Sequence, residues 1–149
     1  MLFRSIAGDH TLTAGQFLAS NATINMTAGN WTNNGATFSR GNSTVVFSGT
    51  GDQEIGGTTT TPQEFANLTM NKTTGTLSIA AGKAIKVDNV LSLTAGTFAP
   101  ASGTTIEFDK LGGTQAVPLA NYHHLKFSRG GTRSEEHTSE LQSPCNLVC

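Results

Sequence analysis

Ser43-Thr44-Val45-Val46-Phe47 leads through a glycine-rich turn to Gln53, and Phe65-Ala66-Asn67-Leu68-Thr69-Met70 follows. The same order returns downstream as Thr104-Thr105-Ile106-Glu107-Phe108, a glycine-rich turn with Gln115, and Tyr122-His123-His124-Leu125-Lys126-Phe127. Each copy reads as a short strand, a turn and another short strand. A smaller phrase recurs as well: Leu12-Thr13-Ala14-Gly15-Gln16-Phe17, Met26-Thr27-Ala28-Gly29-Asn30-Trp31 and Leu93-Thr94-Ala95-Gly96-Thr97-Phe98. In all three an apolar residue ends a strand, glycine turns the chain and an aromatic opens the next strand. Side chains along a strand alternate in direction, so Ala22–Met26, Leu77–Ile79, Ile85–Val87, Val90–Leu93 and Tyr122–Phe127 can each bury one face and wet the other. No segment before residue 133 holds an apolar period near 3.6 over about ten residues, and Pro62-Gln63-Glu64-Phe65 reads as a loop entering a strand.

An apolar face only two or three residues wide cannot close a core alone. Stacking each turn on the next makes the core continuous and pairs the strand edges. The sequence therefore predicts an all-β chain, a right-handed parallel β-helix or solenoid over residues 1–132, with β-sandwich or jelly-roll repeats as the alternative. Ile79, Ile85, Val87, Leu91, Leu93, Ile106 and Phe108 are expected inside.

At Gly49-Thr50-Gly51-Asp52-Gln53-Glu54-Ile55 and Phe65-Ala66-Asn67-Leu68-Thr69-Met70 the chain resembles repetitive secreted or surface-anchored β-helix proteins, adhesin-like in character, of Bacteroidetes-type environmental bacteria. Asn67-Leu68-Thr69 keeps that family's aromatic-x-Asn-Leu-Thr phrase, whereas His124-Leu125-Lys126 and Leu111-Gly112-Gly113-Thr114-Gln115-Ala116-Val117 depart from it. The resemblance implies an extracellular or cell-surface location and carries over no catalytic residue. A second resemblance concerns Arg133-Ser134-Glu135-Glu136-His137-Thr138-Ser139-Glu140-Leu141-Gln142-Ser143, which is similar to one translated frame of a sequencing-library adapter. A variable index would supply Pro144-Cys145-Asn146, and the adapter would resume at Leu147-Val148-Cys149. It implies that residues 133–149 are a disordered artefact, that Cys145 and Cys149 form neither redox nor zinc site, and that residues 1–132 are a fragment of a longer chain.

Setting aside Arg133, Glu135, Glu136 and Glu140 leaves eight Lys and Arg against seven Asp and Glu, a field too weak to steer nucleic acid or an anionic membrane. Met1-Leu2-Phe3-Arg4-Ser5-Ile6 lacks the apolar run of a secretory leader, and no stretch approaches the roughly 18 apolar residues of a membrane span.

Several residues invite chemistry. His123 and His124 are adjacent, so on a strand they point to opposite faces and cannot readily share one ion; one is expected beside Tyr122 and the other in solvent. Asp9-His10 has no serine in a Gly-x-Ser-x-Gly elbow to serve. Asp52 with Glu54, and Glu107 with Asp109, could each project carboxylates to one side for glycoside chemistry or weak Ca²⁺ binding at Asp52 or Asp109. Each doublet lies where strand meets glycine turn, and solvated acids are expected there. Gly49-Thr50-Gly51-Asp52 and Gly56-Gly57-Thr58 lack the Gly-Lys-Ser or Gly-Lys-Thr of a phosphate loop and read as corners with positive φ. Tyr122 and Phe127 interleave with Lys126 and Arg129, but alternation puts Phe127 opposite Lys126, so no base-stacking face forms. Acceptor triplets at Asn21, Asn25, Asn30, Asn42, Asn67 and Asn71 follow from an Asn- and Thr-rich composition, and stacked Asn amides are expected to bond one another and fix register.

No catalytic, cofactor-binding or metal-ligating residue is assigned, and no cofactor is expected. The reading is a non-catalytic structural or adhesive segment of a secreted or surface protein, with neighbouring repeats and cell-surface carbohydrate as partners and no nucleic acid. The alternative is a fragment of a β-helix polysaccharide lyase or glycoside hydrolase.

Overall fold

The computed structural model of the chain describes residues 3–130, 132–135 and 147–148. Every regular element in them is a strand, and every ladder is parallel. The first turn holds β1 (Phe3–Ala7), β2 (His10–Leu12) and β3 (Gln16–Leu18), and the second holds β4 (Thr23–Ala28), β5 (Trp31–Asn33) and β6 (Thr37–Ser39). Then come β7 (Thr44–Phe47), β8 (Gln53–Gly56) and two long strands that bend around corners, β9 (Gln63–Ile79) and β10 (Ala84–Phe98). The chain ends through β11 (Thr105–Phe108), β12 (Thr114–Val117), β13 (His124–Phe127), β14 (Thr132–Glu135) and β15 (Leu147–Val148).

These strands stack into the faces of a parallel β-solenoid. On the first face β1, β4, β7, the Asn67–Met70 part of β9 and the Val90–Leu93 part of β10 lie in order. On the second, β2, β5, β8 and the Leu77–Ile79 part of β9 are followed by Thr97 and Phe98. The third begins with β3 on β6 and resumes as the start of β9, then β10, β11, β13 and β15. Across the interruption between β6 and β9 the Phe38 and Phe65 rings lie 6.1 Å apart. A sandwich is thereby excluded, since its sheets are built mainly from antiparallel neighbours.

Register turns alternation into inward columns of like residues. Ile24, Val45, Leu68 and Leu91 are successive partners on the first face and are all buried. On the third face Phe65, Val87, Phe108 and Phe127 follow one another. A turn supplies several apolar side chains to a core shared with its neighbours, the second giving Ile24, Met26, Trp31 and Phe38, and most of the stabilisation is the roughly 1.5–3 kcal/mol gained per buried large side chain. Of the seven residues expected inside, six are buried; Leu93 is partly buried because it borders a groove described below.

The three Thr-Ala-Gly phrases are corners. Gly15, Gly29 and Gly96 have φ of 75°, 70° and 99°, a region that side chains with a Cβ disfavour. The two larger sequence repeats, in contrast, do not occupy equivalent places: Phe47 stands on the first face and Phe108 on the third. They share a local device. The Gln53 amide donates to Met26 O at 3.2 Å and Gly29 O at 2.9 Å, while its oxygen accepts the Gly49 N–H at 3.1 Å. Gln115 donates to Val87 O at 2.9 Å and accepts the Lys110 N–H at 3.2 Å. Met26 and Val87 are the register partners of Phe47 and Phe108, so each buried glutamine ties a turn back to the strand beneath it. The repeated phrase encodes a corner, and the corner can serve any face.

Turn residues bond between turns in a way that differs from the expected amide ladder. Asp9, Asn30, Asp52 and Asn34 accept the N–H groups of Asn30, Glu54, Thr76 and Thr58 from the next turn at 2.8–3.0 Å. A backbone N–H at a corner has lost its ladder partner, so a side-chain oxygen one turn away serves it better than another amide would. Of the two glycine stretches expected to need positive φ, only Gly57 has it, at 120°. Disorder was the expectation for residues 133–149; within them Arg133–Glu135 belongs to β14, which pairs with β12, and β15 pairs with β13, while residues 136–146 and 149 lie outside the described residues.

Candidate functional site

Glu64, Lys86, Glu107 and Lys126 are outward-facing register partners on the third face, one from each successive strand. Neighbouring parallel strands lie about 4.8 Å apart, so charges of alternating sign at one register position attract, where like charges would repel. Lys86 Nζ is 3.6 Å from Glu64, 3.7 Å from Glu107 and 3.4 Å from Asp109, and Lys126 Nζ is 3.2 Å from Glu107. Two arginines bracket this ladder. Arg129 Nε stands 3.1 Å from Asp109; Arg40 pairs with Asp88 and lies 3.7 Å from Glu64.

The expectation of solvated acids thus fails for Glu107 and Asp109, which are buried, Asp109 to 2% exposure. The physical reason is the next turn, whose Lys126, Ser128 and Arg129 cover both carboxylates. Asp52 and Glu54 are exposed, and Asp52 uses its carboxylate on the Thr76 N–H. His123 and His124 are both exposed, rather than one being packed, because Tyr122 directs its hydroxyl to Pro118 O at 2.6 Å and its ring toward Phe98 and Phe108. Asp9 bonds the Asn30 N–H, and His10 packs between the Phe17 and Trp31 rings at 5.0 and 4.7 Å with its Nε2 buried and unpartnered. Burial, with the Arg4 charge, holds the pKa of the half-buried His10 below 6.5.

Burial opposes the charge on Glu107, but hydrogen bonds from Ser128 and Lys126 and the charge of Lys86 outweigh it and hold the pKa below 4.5. Lys86 likewise resists the downward effect of burial, since Glu107, Asp109 and Glu64 raise its pKa above 10.5. Asp88 differs. Burial, with Asp109 and Glu64 nearby, lifts it above 3.8 against the opposing Arg40, and its Oδ1 has no hydrogen-bond partner.

The lowered pKa of Glu107 means that its contribution to stability is complete above pH 4.5 and is lost as pH falls through the folded value; Asp88, with a raised pKa, works in the opposite sense. Urea denaturation followed from pH 7 downward should therefore show an acid loss that is smaller in Glu107→Gln. At neutral pH that variant should be less stable by about 1–3 kcal/mol, because Lys86 and Lys126 lose a buried counter-charge. An unchanged acid limb in Glu107→Gln would contradict the assignment.

Sequence reading missed this ladder and also Lys72, whose side chain is wholly buried. Its Nζ donates to Gly49 O, Gly51 O and Gln53 Oε1 at 2.7, 2.8 and 2.7 Å, three acceptors for the three protons of an ammonium. A signal for the ladder did exist: opposite charges at 64, 86, 107 and 126. It becomes readable only when the unequal turn lengths are known.

Chemically, the strip is a set of compensated charges. Among the described residues no group of three or more His, Cys, Asp or Glu side chains could hold a metal ion, and no helix is long and apolar enough to cross a membrane. Fold and strip together define a parallel β-solenoid with an ion-paired outer face. No protein-family model, curated protein or solved structure matches the chain.

Proposed function

We propose that the chain is a non-catalytic structural or adhesive segment of a secreted or cell-surface protein, in which the solenoid is a stiff spacer and its polar outer surface contacts carbohydrate or neighbouring repeats. One observation carries this reading: the outward acids Glu64, Glu107 and Asp109 face cations from adjacent turns, so the charges cross-link turns of the rod. Resemblance to repetitive surface β-helix proteins supports the location. Residues 133–149 stand outside the proposal because of their likeness to translated adapter DNA, which the nucleotide sequence across codon 133 tests.

The second reading, a polysaccharide lyase or hydrolase, is favoured by the gathering of Glu64, Asp88, Glu107 and Asp109 around Lys86. Incubating the full chain with polygalacturonate, alginate and xylan separates the two. The spacer predicts no unsaturated uronate and no new reducing ends above a buffer control, together with an elongated particle by small-angle scattering. Turnover that disappears in Asp109→Asn would establish the enzyme reading instead.

A further inference from the structure

Among the described residues no strand pairs with the second half of β10 on the side away from β9. Val90–Phe98 pairs with β9, whereas the following strand β11 covers only Ala84–Val87. Where another strand would continue the first two faces, the chain instead passes along residues 118–122, pinned by the bond from the Tyr122 hydroxyl to Pro118 O and by the contact of its ring with Phe98, 6.4 Å between centroids. Between the Leu93–Phe98 corner and Leu119–Asn121 lies a groove of about 520 Å³. Small-molecule sites occupy roughly 300–1,000 Å³.

Every described residue lining this groove is uncharged. A charged ligand would give up hydration there without gaining a counter-ion, so the chemistry selects a neutral one. Leu93, Phe98 and Leu119 supply apolar surface, while Thr94, Thr97 and Asn121 supply hydroxyl and amide groups. That combination fits a ring with one apolar face and a rim of hydroxyls. An extended peptide fits less well. Strand addition needs an evenly spaced row of N–H and C=O groups, and this edge is broken by register shifts at Leu93/Ala95 and Ala95/Thr97 and turned by Gly96 at φ 99°.

We propose that the groove is a subsite for one unit of a neutral saccharide. The proposal rests on the surface-contact reading above and names its ligand class. The test titrates the full chain with maltotriose, cellotriose, mannotriose and chitotriose in its N-acetylated form, and with trigalacturonate and an alternating Val-Thr pentapeptide, using calorimetry and NMR. Leu119→Arg and Asn121→Ala probe the groove, and Leu111→Arg is the control; Leu119 and Leu111 are 74% and 77% exposed, so neither change disturbs the core. At least one neutral trisaccharide should bind saturably, at least tenfold more weakly in both groove variants and unchanged in the control. Failure of all four neutral sugars to bind a cooperatively melting chain would overturn the proposal. So would equal binding by the groove variants, or preference for the uronate or the peptide. Particle shape and lack of polymer turnover do not depend on this groove, so its failure would leave the spacer reading to its own test.

Discussion

Gly57→Ala should destabilise the chain by about 3–5 kcal/mol, the sum of left-handed backbone strain and overpacking of similar size. Gly57 has φ 120°, and a Cβ there would overlap the backbone of Asn33 in the turn beneath. Asn33 cannot easily retreat. Its carbonyl accepts the Thr59 N–H at 3.2 Å, and its buried amide donates to Ala36 O and Gln63 Oε1 at 3.1 and 2.9 Å. Gly51→Ala is the matched control, with no positive φ and open space where its Cβ would stand, and should change stability by less than about 0.5 kcal/mol. Urea midpoints of the two variants check the contrast. Similar midpoints would mean that the turns are not packed against one another at this corner.

Lys72→Met should cost about 2–4 kcal/mol, since methionine fills the space but removes the ammonium donor from Gly49 O and Gly51 O and leaves Gln53 Oε1 with only the Gly49 N–H. The same residue gives an alkaline signature. Burial holds its pKa below 10.5, with the Asp52 charge opposing. Between the lowered folded value and 10.5 the unfolded chain binds the extra proton, so this residue makes stability rise with pH in that window. Lys86, whose pKa is raised, contributes stability that is lost as pH climbs through its folded value. Comparing wild type with Lys72→Met across the alkaline range isolates the first effect: the difference in stability between the two proteins should widen as pH rises through the window. A constant difference would place the Lys72 ammonium in contact with water.

The strands that alternate strictly were readable residue by residue. Ile24 and Met26, Leu77 and Ile79, Ile85 and Val87 are buried with their intervening neighbours more exposed, because a two-residue period leaves one possible face for the core. The Thr-Ala-Gly corners were readable for a similar reason: their glycines supply a backbone conformation that few residues tolerate. Glu107 and Asp109 were not. In their own turn they look like acids at a strand end, and only the turn carrying Lys126 and Arg129, 19 or 20 residues later, converts them into a buried ion-paired set. Lys72 was hidden in the same way, since its three acceptors lie in the preceding turn and none is announced by residue type.

The chain's own residues determined that it would be all-β, that its strands would be short and one-sided, and that a core would have to be assembled turn upon turn. These are consequences of period, turn chemistry and the small apolar width of each repeat, all of them local. Tertiary structure alone decided which turn-to-turn partners meet: the alternating charges of the third face, the caged ammonium of Lys72 and the gap left beside Val90–Phe98. Partners on one face are 22 residues apart between Glu64 and Lys86, 21 between Lys86 and Glu107 and 19 between Glu107 and Lys126. These unequal lengths are absorbed in the corners, whereas a slip of one residue within a strand would send that strand's side chains to the opposite face, so the pairings that make a surface exist only once the stack has set its register.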